Sequence, residues 1–337
     1  MYLAGNDAEK IQEVKNHFGK KFKIKDLGEP KNYLGMKIER DRKNKIMKVS
    51  QPEYTEKVLE RFNMLNCNAR TSPMVTRQVK KRDEKSQEMS KIRVNVPYRE
   101  AIGSLLYLAG VTRPDISFAV NYLARKQQNP TEDDWEDIKR IFRYLKATKE
   151  LGITFKAKGD ELEVFTDSSF SDNYDSTSTG GYVVKLFGDP ISWRSYKQKL
   201  VTTSTCQAEY FTMSDACSEI ISLDKAIRDM IGKTLYPVKI WCDNQSAGKC
   251  TQMEGNHRLK SFDYDIETIK QRLAEREITG HKRTMSEKHG DFIKSCVVEG
   301  KAVVKWVESK ENPADIFTKP LPSPAHIYLR DNIMNNS

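Results

Sequence analysis

Four acidic residues in the second half of the chain share one setting. Asp167 follows the apolar run Leu162 to Thr166, Asp243 follows Val238 to Cys242, Glu209 lies in the first turns of a long helical stretch, and Asp315 opens the last one. Strand ends and helix starts are where a sheet presents groups to a ligand. Carboxylates gathered there raise one another's pKa, so a cation is needed to keep them ionised. Mg2+ suits such a set, being a hard ion that prefers carboxylate oxygen and water and bridges readily to phosphate. Two such ions about 3.5–4 Å apart activate a water and stabilise the leaving oxygen of a phosphodiester. The chemistry open to these residues is therefore metal-dependent hydrolysis. Taken singly, an Asp after a strand is more often a turn residue or a helix cap. The spacings of 42, 34 and 72 residues are not a signature by themselves.

The elements that must position these acids begin near residue 150. Ile153-Thr154-Phe155 and Leu162 to Phe165 flank Lys158-Gly159-Asp160 and read as a hairpin; Gly181 to Leu186 and Ile191 to Trp193 read as further strands. A long helix from about Ser204 to Met230, a strand at Val238 to Cys242, a helix from Phe262 to Arg276, a strand at Ala302 to Val307 and a closing helix at Pro313 to Thr318 follow. Strands first, then alternating helix and strand, predict an α+β or α/β domain.

The first half reads differently. Ile11, Val14 and Phe18 recur at helical spacing from Asp7 to Phe22, with Gly19 as a plausible stop. Leu34, Met36 and Ile38 alternate with polar residues, Asp41 to Lys45 is turn-like and Ile46 to Val49 is apolar, which is a hairpin signal. Pro52 opens a helix whose apolar face is Val58, Leu59 and Phe62. Residues 66–97 are polar and charge-rich without a sustained period, and are expected to be a linker. Three helices follow, at Tyr98 to Gly110, Asp115 to Gln127 and Glu132 to Thr148, the last with Thr131 as N-cap and acids in its first turn.

At 337 residues the chain has room for two cores. With 31% charged and 38% apolar residues it has the composition of a folded protein with a polar surface. Lys and Arg exceed Asp and Glu by 57 to 47, a net charge of +10, which favours a polyanionic partner without establishing one. Six cysteines show no C-x-x-C pair and no regular framework, which suits a reducing compartment and speaks against structural zinc. No run approaches the roughly 18 apolar residues of a membrane span and the N-terminus lacks a signal-peptide core, so a cytoplasmic or nuclear protein with no membrane partner is expected.

The segments around the four acids carry a specific resemblance. They are Phe165-Thr166-Asp167-Ser168-Ser169, Ser176 to Val183 with Gly180-Gly181, Ile191 to Ser195, Lys197-Gln198, Ser204 to Tyr210, Trp241 to Ala247 and Asn312 to Leu321. Together they resemble the ribonuclease H domain of copia-type retrotransposon polyproteins over about 160–322. The resemblance implies a ribonuclease H-like mixed five-stranded sheet with flanking helices over 151–322. It makes Asp167, Glu209, Asp243 and Asp315 the catalytic and metal-binding tetrad, with two Mg2+ ions as cofactor and Mn2+ as a substitute. The implied reaction is cleavage of the RNA strand of an RNA–DNA hybrid, recognised by shape and 2′-hydroxyls.

The first half resembles the end of the same element's reverse transcriptase. The carriers are Phe22 to Glu29, Tyr33 to Met36, Tyr98 to Leu108 and Thr112-Arg113-Pro114-Asp115-Ile116. This implies a smaller, mostly helical palm, thumb and connection remnant, divided as 1–65 (palm end), 66–97 (linker) and 98–150 (thumb or connection), with 323–337 as a C-terminal tail. Met1 to Gly5 looks like the residues just after the polymerase's paired aspartates, so no DNA synthesis by this chain alone is expected. Two departures from the family stand out: Lys260-Ser261 replaces a Lys-His pair, and residues 280–300, with His281 and His289, look like an inserted surface loop. Ser168, Trp193, Arg194, Lys197 and Asn244 are candidate nucleic-acid contacts, although a Trp at a strand end is more often packing. Cys206, Cys217, Cys242 and Cys250 are expected as small buried hydrophobes, since Mg2+ sites use oxygen. Other retroelement proteins are possible partners, and a non-catalytic nucleic-acid-binding module or a decaying relic stands as the alternative.

Overall fold

The computed structural model describes residues 3–76, 96–173, 175–252 and 285–335. Asp7 caps helix α1 (Ala8–Lys21) by accepting from the backbone N–H groups of Glu9 and Lys10, and the helix runs past Gly19. Strands β1 (Asn32–Tyr33), β2 (Met36–Asp41) and β3 (Ile46–Ser50) form an antiparallel meander. Helix α2 (Pro52–Arg61) starts on its proline as expected. Helices α3 (Tyr98–Val111), α4 (Ser117–Ala124) and α5 (Glu132–Ala147) follow, with a 3-10 turn at Pro114–Ile116 leading into α4. A capping box between Thr131 and Asp134 fixes the start of α5. Val58, Leu59, Ile102, Leu105, Ile138 and Phe142 close one core among these four helices.

Strand β4 (Gly152–Phe155) corrects the sequence reading. It pairs with β3, Ile153 opposite Val49 and Phe155 opposite Met47, and not with the strand after Gly159. The turn residues between the two runs could not tell which neighbour the first run would take. Where the chain leaves β4, the Asp189 carboxylate accepts from the backbone N–H groups of Lys156 and Ala157 and holds that end in place. The four-stranded sheet of the first half therefore ends inside the stretch assigned to the second.

The second sheet has the order β7-β6-β5-β8-β9. Strands β5 (Leu162–Ser169), β6 (Thr179–Leu186) and β7 (Asp189–Lys197) are an antiparallel meander. Helix α6 (Thr205–Ile231) then crosses over, and β8 (Val238–Cys242) and β9 (Ala302–Trp306) add in parallel to β5. This is the expected ribonuclease H-like mixed sheet. Helices α6, α7 (Gln245–Gln252) and α8 (Met285–Val298) lie on one face, over Val164, Val184, Ile240 and Val304. The other face carries Val183 and Phe165 under Ile316 and Phe317 of a 3-10 turn (Pro313–Phe317) and Ile333 and Met334 of α9 (Ser323–Met334).

Two expectations fail here for one reason, apolar residues at helical spacing inside polar surroundings. The expected C-terminal tail is α9, with Leu329, Ile333 and Met334 buried. From Met285 the expected surface insertion is α8, whose Ile293 and Cys296 sit in the core against α6. The closing helix is a single 3-10 turn. The helix expected over 262–276, Lys260-Ser261 and His281 lie outside the described residues, as does most of the expected linker. Its described start packs down: Arg70 donates its backbone N–H to Arg143 O, and Lys146 reaches Cys67 O at 2.7 Å.

The two halves meet through a buried polar network. Arg113, 1% exposed, forks onto Asp115 at 2.9 and 2.7 Å and also donates to Thr148. Tyr144 donates to Asp115 at 2.6 Å, and His326 of α9 lies 3.0 Å from Asp115 O. Removing one partner of a buried pair strands the other. Arg113→Ala is therefore expected to lower the stability of the whole chain by about 3–5 kcal/mol in urea unfolding. A loss under about 1 kcal/mol would show that this network does not hold the seam.

Candidate metal centre

Asp167 lies in β5 directly opposite Gly181 of β6, and Ser168 lies opposite Gly180. A Cβ on Gly180 would sit 2.8 Å from Thr212 of α6, and one on Gly181 would sit 2.6 Å from Phe317 Cβ and 2.8 Å from Thr318. The two glycines face opposite sides of the sheet, so α6 can close on one face and the 313–318 turn on the other. One closure delivers Glu209, the fifth residue of α6 after its Ser204 cap, and the other delivers Asp315. Asp243 arrives from the end of β8, the parallel neighbour of β5.

The four acids converge. Oxygens of Asp167, Asp243 and Asp315 lie within 4.8 Å of one another, and Asp243 also groups with Glu209 and Cys242 by the same measure. Asp167, Glu209 and Asp315 are buried. Each carboxylate is aimed by a neighbour. Glu209 accepts from Ser168 N at 3.0 Å, Asp243 from the Ser309 hydroxyl at 2.7 Å, and Asp167 from the Thr318 hydroxyl in a short bond. Asn312 fixes the turn under Asp315, donating to Thr166 O at 2.9 Å and accepting from Ala314 N at 3.1 Å. Lys319 places its ammonium 2.9 Å from Asp315 and 3.7 Å from Asp167. Ser309, Asn312, Thr318 and Lys319 were not picked out from the sequence as site residues. Three of them stand in the Asn312 to Leu321 segment, and their hydroxyl, amide and ammonium groups were the available signal.

Like charge and burial mark the cluster. Burial, then the charge of Asp167, push Asp315 up to about 7 against the pull of Lys319. The same two causes raise Asp243, with Ser309 opposing, and burial with Asp167 and Asp243 lifts Glu209 well above the usual carboxylate range. Burial would lower Lys319, but Asp167 and Asp315 outweigh it and hold the lysine above its ordinary value.

The candidate nucleic-acid contacts do not gather in this way. Ser168 is beside the tetrad but its hydroxyl is buried, and Asn244 caps α7 by accepting from Ala247 N at 3.0 Å. Trp193 donates its indole N–H to Ala109 O at 2.7 Å and packs against Val183 and Phe317, at the seam with α3. Arg194, opposite Tyr182, points to the other face and lies over the Tyr196 ring at 4.7 Å. Lys197 pairs with Asp175. Strand alternation separates Trp193 from Arg194, so these candidate contacts do not share one face of the sheet. Cys217, Cys242 and Cys296 are buried free thiols and Cys206 is half-buried, in line with packing roles.

The donor set fits a hard divalent cation. All four acids offer oxygen, their mutual repulsion calls for positive charge, and Lys319 already supplies some. Fold and site together define a ribonuclease H-like domain with a carboxylate tetrad, joined to a helical and β-sheet unit.

Comparison with known proteins gives the family. Residues 1–76 match the family described as reverse transcriptase (RNA-dependent DNA polymerase). The chain is 33% identical over 329 residues to a retrovirus-related Pol polyprotein from transposon TNT 1-94 of Nicotiana tabacum, which covers 96% of this chain and 23% of that protein. It is 30% identical over 223 residues to a putative transposon Ty5-1 protein of Saccharomyces cerevisiae, covering 65% of this chain and 71% of that one. The chain belongs to the family of copia-type retrotransposon Pol polyproteins. It spans about a fifth of the length of the first plant relatives, 23%, 20% and 20%. Among solved structures it is similar to LC11-RNase H1 from compost, with 17% identity and a TM-score of 0.30 over 47% of this chain and 93% of that one. The fold assignment rests on strand order and register.

Two outcomes test the site. Gly181→Ala must move Phe317 and Thr318, and is expected to cost about 1–3 kcal/mol in thermal or urea unfolding and to reduce stabilisation by Mn2+, although no carboxylate changes. Unaltered Mn2+ stabilisation would show that the glycine does not set the approach of Asp315. A carboxyl whose folded value exceeds its unfolded one binds extra protons when native, so its contribution favours folding at low pH and is lost as pH rises through the folded value. For Asp315 that window runs from 3.8 to about 7. Melts of the metal-free chain across it should show a loss of stability that is smaller in Asp315→Asn; equal losses in the two proteins would exclude Asp315 as the source.

Proposed function

We propose that this chain is a metal-dependent ribonuclease H that cleaves the RNA strand of RNA–DNA hybrids. The convergence of Asp167, Glu209, Asp243 and Asp315 from four separate segments carries this reading. Asp167, Asp243 and Asp315 would hold one Mg2+ position and Glu209 with Asp243 would contribute to the other, Mn2+ serving as a substitute. Divalent metal bound there would supply activation of water and neutralisation of charge on a phosphodiester.

The chain's own residues prepare the site. Ser309, Thr318 and the Ser168 N–H each take one lone-pair direction of a carboxylate and leave the rest turned inward. Outer partners of this kind fix the orientation of a ligand before it is needed. The net charge of +10 supports association with a polyanion, and discrimination would come from hybrid shape and 2′-hydroxyls.

The test is cleavage of a labelled RNA–DNA hybrid by the whole chain in Mg2+. The whole chain is required because Trp193 and His326 are anchored on residues before 150. Loss of an outer partner costs about 10–100-fold, so Ser309→Ala should fall in that range and Asp167→Asn should exceed it. Hybrid binding by a folded wild type without any cleavage would reject the enzyme and leave a non-catalytic nucleic-acid-binding module.

A further inference from the structure

Lys319 stands where a cation is wanted. Its ammonium lies 2.9 Å from Asp315 Oδ1 and 3.7 Å from Asp167 Oδ2, two of the three carboxylates that offer oxygens within 4.8 Å of one another. Its backbone is tied in place: Lys319 N donates to Asp315 O at 3.3 Å, and the hydroxyl of the preceding Thr318 binds Asp167. The side chain nevertheless keeps 37% of its surface exposed, against 4% for Asp167 and 11% for Asp315. A long aliphatic arm with one end buried and one end near water can withdraw without unfolding anything.

We propose that Lys319 is a displaceable counter-ion, which holds Asp167 and Asp315 together before metal arrives and competes with the divalent cation for the same oxygens. This rests on the metal-dependent reading above. An ammonium and a divalent ion cannot share those oxygens at contact distance, so loading expels the lysine toward the rim. There its next partner is an anionic oxygen of an incoming phosphodiester, a charge-assisted bond. Metal and phosphate-bearing substrate therefore favour each other at this position, and substrate raises the affinity for metal. Lys319 acts here as a positioning residue whose first effect is on metal affinity.

Calorimetric titration of Mn2+ into the whole chain tests this on wild type, Lys319→Gln, Lys319→Arg and Asp167→Asn. Lys319→Gln is expected to bind Mn2+ at least about tenfold more tightly than wild type, or about 1.4 kcal/mol. Its metal-free melting temperature should be lower, and Lys319→Arg should keep the weak wild-type affinity. Equal or weaker binding by a folded Lys319→Gln, with Asp167→Asn still impaired, overturns the counter-ion role alone. Wild-type and Asp167→Asn titrations that coincide overturn the metal centre itself. A second readout needs no variant: mass spectrometry after brief treatment of wild type with an amine-acylating reagent. Labelling of Lys319 should rise severalfold when Mn2+ is added, and unchanged or reduced labelling overturns the displacement.

Discussion

Gly180 and Gly181 sit side by side on β6, and the arrangement of the second half follows from what they leave out. A side chain on the first would strike α6, and one on the second would strike the turn that carries Phe317 and Thr318. Their β5 partners are Ser168 and Asp167, so the thinnest point of the sheet is also where the Asp167 carboxylate stands. Interiors are close-packed and do not absorb an extra methyl group without shifting a neighbour. The approach of Glu209 from one face and Asp315 from the other is thus a packing property of β6, although neither glycine bears any chemistry.

Bringing these acids together costs free energy in proportion to their burial, which is why Glu209, Asp243 and Asp315 all hold their protons more tightly than a free carboxyl. The surrounding structure has to outweigh that repulsion before any metal is present. It does so with the fixed donors Ser168 N, Ser309 and Thr318, with the ammonium of Lys319, and with Asn312 bracing the turn against β5. A pre-assembled site of this kind is tense by construction. Positive charge relieves it, and Lys319 supplies part of that charge.

Much of this was legible in the sequence, and the limits have physical causes. Val238 to Cys242 and Leu162 to Thr166 bury every second residue, Val238, Ile240 and Cys242 in one and Leu162 and Val164 in the other, with acids next to their ends, and period and burial agree there. The helix after Ser204 carries both its cap and an apolar stripe. Partner choice among strands was not legible: Gly152–Phe155 alternates equally well for β3 or for β5, and the pairing with β3, like the Asp189 bonds beside it, joins residues far apart in sequence. Nor was α9. Its Leu329, Ile333 and Met334 follow a helical period, but a short polar C-terminal stretch looks the same whether or not a surface exists for it to cover. For Trp193 and Arg194 the residue types suggested nucleic-acid contacts, and the one-residue alternation of β7 sent them to opposite faces. The tetrad positions came from the resemblance of the surrounding segments, because spacings between distant acids carry no geometry.

The remaining dependence runs between the halves. The turn that presents Asp315 is backed by Phe317, Phe317 packs with Ile333 and Met334 of α9, and α9 is pinned through His326 to the Asp115 carbonyl. Asp115 is in turn held by Arg113 and Tyr144 inside the helical core, and Trp193 makes a second tie to Ala109. Two of these links, His326 to the Asp115 carbonyl and Trp193 to Ala109, have one partner on either side of residue 150. A sheet of five strands can set the relative places of Asp167 and Asp243, which lie on neighbouring parallel strands. It cannot set the place of Asp315, which hangs from a single 3-10 turn. The helical unit supplies the other side of that clamp, so the geometry of the carboxylate cluster is a property of both halves of the chain.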